Sequence, residues 1–183
     1  MSNLKQKILK EAAKLFSEFG FLGVSMEDIA KKLGTSKTAL YYHFKNKKEL
    51  YLNVLEDTFE NLKEKIAKKV FLAKSQKEIT EKVIETYLEF SLKEKNLIKS
   101  LSLKLSRDAQ RPREDLEIKN YINQLKEKIQ LLFQDSLNKE SNFISFLLGT
   151  IDRVILEASL IDKRLNTKKV TSQIIKIFFP KYV

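Results

Sequence analysis

At 183 residues, 43% hydrophobic and 32% charged, the chain can bury a sizeable core and lacks the composition of a disordered segment. It has no cysteine and a single histidine, His43, which excludes a disulfide framework, a thiolate nucleophile and a multi-histidine metal site. Its net charge of +11 favours polyanionic partners, nucleic acid or an anionic membrane face. The first fifty residues carry ten lysines and five acids, a net of +5, which leaves +6 for the other 133. Net positive charge per residue is therefore about twice as dense at the front.

No apolar run approaches the ~18 residues of a membrane span, and the N-terminus has no apolar signal-like stretch, so a cytoplasmic location is expected. Four glycines, two prolines and abundant Leu, Lys, Glu, Ile and Phe predict an all-α fold of about nine helices.

In chain order, Ile8, Ala12, Leu15, Phe16 and Phe19 recur at helical spacing and predict a first helix over 3–20, stopped at Gly20. Phe21, Leu22 and Val24 form an apolar loop expected to tuck under the small domain. Ser25 followed three residues later by Asp28 is a capping signal for a second helix over 26–33, with Ile29, Ala30 and Leu33 inward. Gly34 breaks it, and Ser36 caps a third helix over 37–43 anchored by Leu40 and Phe44. Two short helices joined by a glycine turn are the pattern of a helix-turn-helix. The outward residues of the second one suit a major groove. Lysine donates to guanine, threonine offers a hydroxyl and a methyl, and tyrosine offers a donor and a flat ring.

The run Gly20–Ser25, then Asp28-Ile29-Ala30, Leu33–Lys37 and Leu40–Leu50 resembles the DNA-binding domain of the tetracycline-repressor (TetR) family of bacterial transcription regulators. The resemblance covers about the first fifty residues. It implies a homodimer with an N-terminal three-helix reader (1–46) and a C-terminal helical domain (47–183) that binds ligand and dimerises. By that resemblance Lys37, Thr38 and Tyr41 meet base edges of an operator, and Ser25, Tyr42, His43 and Lys47 meet phosphates. Thr35 stands where the family has a small apolar residue, and Ala39 lacks a hydroxyl for any phosphate contact there. Members of the family are most often repressors. His43 equally suits a helix C-terminus, where its charge complements the dipole.

A long fourth helix over about 47–74, with Leu50, Val54, Leu55, Phe59, Leu62, Ile66 and Val70 as its stripe, is predicted to be shared by both domains. Further helices are predicted over 76–93 and around Leu97, Leu101 and Leu105. After the RDAQRPR break at 107–113, another is expected to about Leu137. A family pocket would be lined by Phe59, Leu62, Ile66, Val83, Thr86, Tyr87, Phe90, Leu101, Leu105, Tyr121, Gln124 and Leu125, a set that favours an apolar or amphipathic ligand. A filled core is the alternative for each of these positions. The segment 143–161 is apolar nearly all round and needs cover on two sides. With 167–179 it predicts a twofold four-helix interface using Phe146, Gly149, Thr150, Arg153, Val154, Glu157, Ile174 and Phe178. No cofactor or metal is implied, and no residue spacing suggests an enzyme. A DNA-binding dimer governed by a protein partner, or by no ligand at all, shares the same reader.

Overall fold

The computed structural model describes residues 3–94, 112–160 and 165–182. All regular elements among them are helical: α1 (Asn3–Phe19), α2 (Met26–Leu33), α3 (Lys37–His43), α4 (Lys47–Phe71), α5 (Gln76–Lys93), α6 (Pro112–Leu137), α7 (Ser141–Leu160) and α8 (Thr167–Phe178), then a 3-10 turn at Pro180–Tyr182. The helix expected around Leu97, Leu101 and Leu105, and residues 107–111 of the break expected at 107–113, lie outside the described residues, while Pro112 and Arg113 of that break begin α6.

The chain divides into two compact units, 1–59 with 96–125 and 60–95 with 126–183. α4 and α6 each contribute residues to both. In the first unit the inward stripe of α1 (Ile8, Ala12, Phe16) meets Val24, Ile29, Leu40, Phe44, Leu50 and Val54, all buried. Phe16 and Tyr51 pack edge to face at 5.0 Å, and Phe21 lies 4.9 Å from the Tyr51 ring. That placement fastens the α1–α2 loop to the first turns of α4. Two residues of the expected apolar set stay outside: Phe19 and Leu22 are exposed. They follow the last buried turn of α1, where the chain reverses at Gly20 (φ +74°).

The second unit is a helical core around Val83, Ile84, Leu88, Phe133, Leu137, Ile144, Leu147, Ile151, Ile155, Ile174 and Ile175. Phe143 meets the rings of Phe178 and Phe179 edge-on, and Phe179 stacks on Tyr182, so the 3-10 turn closes over the end of α8. On α6 Ile118 is buried, while Leu116, two residues earlier on the same helix, is exposed. No helix among the described residues is long and apolar enough to cross a membrane.

Candidate nucleic-acid interface

The interface is built from the cap of α2 to the first turn of α4. At Ser25 the backbone is extended (φ −106°, ψ 162°) and the side-chain oxygen accepts the Asp28 N–H at 3.1 Å. The Asp28 carboxylate accepts the Ser25 N–H at 2.8 Å in return, which completes a reciprocal capping box. The Ser25 hydroxyl, and then its amide, hold the Asp28 carboxyl below the usual carboxylate range. Ser25 itself remains exposed.

Gly34 ends α2 in the left-handed conformation (φ 64°, ψ 33°), and the Thr35 N–H returns to the Ala30 carbonyl at 3.0 Å. Ala30 is buried, one turn before that stop. Ser36 then caps α3 by accepting the Ala39 N–H at 3.2 Å. Only Leu40 among the α3 residues is fully buried, and Phe44 seals the far end. With those two anchors inward, the opposite face of α3 is left to water. Lys37 and Thr38 are exposed, Tyr41 is 45% exposed and Tyr42 86%. The Lys37 ammonium sits 6.0 Å from the Tyr41 ring centroid, and the His43 ring meets Tyr42 edge-on. His43 is half-buried.

The first turn of α4 is capped by Asn46, whose side-chain oxygen accepts the Glu49 N–H at 2.8 Å, while Glu49 accepts the Lys45 N–H at 2.7 Å. The three lysines beside it differ in environment. Lys45 is exposed. The Lys47 ammonium donates to the Phe21 carbonyl at 2.9 Å and lies 4.2 Å from the Phe21 ring, which ties α4 to the α1–α2 loop. Lys48 pairs with Glu117 of α6. Nothing local in the sequence signals the last two contacts, because their partners lie 26 and 69 residues away.

The residues expected to line a ligand pocket are drawn from both units. Phe59, Leu125, Tyr121 and Gln124 belong to the first unit, the first two buried, Tyr121 half-buried and Gln124 exposed. Tyr121 donates to Glu56. Leu62, Ile66, Val83, Thr86, Tyr87 and Phe90 are buried in the second unit. Leu101 and Leu105 fall outside the described residues. Tyr87 donates to Asp152 of α7 at 3.0 Å, and burial pushes the Asp152 carboxyl above its ordinary range. A hollow of about 420 Å³ lies elsewhere in the second unit, between α5 and α8, lined by Lys77, Glu81, Glu85, Lys168, Thr171 and Tyr182 among others. Of the residues expected at a twofold interface, Phe146, Gly149, Arg153 and Glu157 are exposed along one face of α7. Thr150, Val154 and Phe178 are half-buried, and Ile174 is buried in the unit's own core.

Residues 8–54 match the family model of bacterial regulatory proteins, tetR family. Over 56 residues the chain is 43% identical to the biofilm operon icaADBC HTH-type negative transcriptional regulator IcaR of Staphylococcus epidermidis, a stretch covering 31% of this chain and 30% of that protein. The match thus spans about a third of the curated relative's length. Across nearly the whole chain the fold is shared with solved regulators of low identity. The fatty acid degradation regulator FadR of Bacillus halodurans aligns at a TM-score of 0.79 and 15% identity, covering 97% of this chain and 95% of that one. The FadR regulator of Bacillus subtilis, solved with stearoyl-CoA, aligns at 0.71 and 19% identity, covering 94% and 96%.

Proposed function

We propose that this chain, whose residues 8–54 match the family model of bacterial regulatory proteins, tetR family, is a homodimeric repressor of that family acting in the cytoplasm on a palindromic operator. The observation that carries this reading is the bare face of α3. Lys37, Thr38 and Tyr41 are presented to solvent by a helix whose opposite side is anchored by Leu40 and Phe44. These three read base edges. Ser25, Tyr42 and His43 meet phosphates at the flanks, and Lys47 reaches a phosphate only by giving up its hold on the Phe21 carbonyl. Two such helices, one per protomer and about 34 Å apart, enter successive major grooves of one duplex.

Repression is released by an apolar or amphipathic effector held in the C-terminal helices, which favours a spacing of the readers that no longer fits the grooves. α4 carries this link, since it contributes to both units. The fold shared with a regulator solved with stearoyl-CoA supports an amphipathic effector. A thermal-shift screen with long-chain acyl compounds tests it. A compound that stabilises the protein and leaves operator affinity unchanged counts against ligand control and favours control by a protein partner.

A footprint on DNA flanking the protein's own gene tests the reader. On the operator so found, Lys37→Ala and Thr38→Ala should shift base preference, each contact contributing ~1–3 kcal/mol of discrimination. Tyr42→Phe should weaken all duplexes alike. If the two sets behave identically, the division into base and phosphate contacts is wrong.

A further inference from the structure

We propose that Glu117, on α6, is an affinity-setting residue for DNA: its carboxylate holds the Lys48 ammonium and competes with DNA phosphate for it. The inference rests on the DNA-binding reading above and goes beyond it, since Glu117 belongs to a helix that contributes nothing to the reading face. Lys48 closes the basic run Lys45-Asn46-Lys47-Lys48, directly after the exposed end of α3. Of its three lysines, Lys45 is exposed, Lys47 is drawn to the Phe21 carbonyl and Lys48 is drawn to Glu117. So the charge that this run offers a duplex is set by what answers it from within the protein.

A second contact shows that the first is not an isolated side-chain excursion. One helical turn beyond Glu117, Tyr121 donates its hydroxyl to Glu56, which lies two turns beyond Lys48 on α4. Lys48, Glu56, Glu117 and Tyr121 all belong to the first compact unit. Two ties, one turn apart on α6 and two turns apart on α4, link the helices, with the carboxylate at the end nearest the reader.

The chemistry favours exchange. A lysine is a compact charge on a flexible stem, able to swing between acceptors. The Glu117 side chain is 61% exposed, and an ion pair in contact with water is weak enough for a phosphate to displace. While the pair is made, Lys48 releases no counterion from DNA, and a carboxylate stands beside the backbone.

Binding of the full-length wild type, Glu117→Gln, Lys48→Gln and the double variant to a fluorescent duplex of arbitrary sequence, across a salt series, tests this. The proposal expects Glu117→Gln to bind more tightly at low salt. Its plot of log affinity against log salt should be steeper by ~0.9 per bound subunit, one phosphate each. The gain should vanish in the double variant, and the melting temperature should stay that of the wild type. An unchanged slope, or weaker binding by Glu117→Gln with its fold intact, overturns the proposal: Glu117 is then a strut positioning α4. Failure of the wild type to bind any duplex at low salt would instead remove the DNA-binding reading, and the proposal with it.

Discussion

The smallest unit with a decisive role is Gly34. Its φ of +64° lies where a Cβ is disfavoured, although the space beside it is open: an added Cβ would find nothing within 4 Å. The cost of a side chain is therefore conformational and not steric. Gly34→Ala should lower stability by ~1–2 kcal/mol in a urea melt, the ordinary left-handed penalty, and Gly34→Asn by less, because asparagine tolerates that region. Equal losses for the two would point to a steric origin. Asp28 supplies the second residue-scale test. Its carboxyl titrates below the ordinary value because Ser25 bonds the charged form, so its stabilising effect is present above the unfolded value of about 3.8 and is lost as pH falls through the folded value. Asp28→Asn should melt below the wild type at neutral pH, and the two curves should converge in strong acid. Parallel curves down to the lowest pH would deny the capping box its charge.

At the scale of elements, what was legible in the chain was what depends on near neighbours. The caps at Ser25 and Ser36, the stop at Gly34 and the inward Leu40 and Phe44 sit where residue type and helical spacing predict. The contacts that cross between helices were not legible. Asp152 reads as one of three charges interrupting an apolar helix, and nothing local says that Tyr87, 65 residues earlier, donates to it. Leu116 and Ile118 differ for a local reason: Ile118 keeps the three- and four-residue spacing of the buried Ile122, Leu125, Ile129 and Phe133, whereas Leu116, two residues away, falls on another face. The Tyr87–Asp152 pair has a testable energetic sign. Burial raises the Asp152 carboxyl, so ionising it opposes folding, and the Tyr87 hydroxyl offsets part of that penalty. Tyr87→Phe should destabilise by ~1–3 kcal/mol at neutral pH, where the carboxylate loses a buried donor. The loss should shrink as pH falls through the raised Asp152 value and the group becomes neutral. A loss independent of pH would make Tyr87 a packing residue only.

For the whole molecule, the question is what covers α7. Phe146 is 75% exposed and shares its face with Gly149, Arg153 and Glu157, while Ile177 of α8 is 70% exposed. An exposed Phe146 beside the small Gly149 leaves that face of α7 open to a partner. The charges on it do not forbid burial, because Arg153 and Glu157 already pair at 2.7 Å one turn apart and can be covered without leaving either unanswered. Gly149, with no side chain and open space beside it, lets a second helix approach closely, as an isologous contact of α7 and α8 with their own copies requires. Light scattering should then give twice the 21.4 kDa of the chain at micromolar concentration. Phe146→Glu places a charge at the N-terminal end of that face and should yield a folded monomer. DNA binding ties the two properties together. A dimer binds its second half-site as an intramolecular event, so a monomeric variant with an intact reader should lose ~10²–10⁴-fold in affinity for a two-half-site operator. On a single half-site it should bind nearly as the wild type does. A Phe146→Glu protein that stays dimeric would move the interface to another face; a monomer with undiminished affinity for the full operator would separate dimerisation from DNA reading altogether.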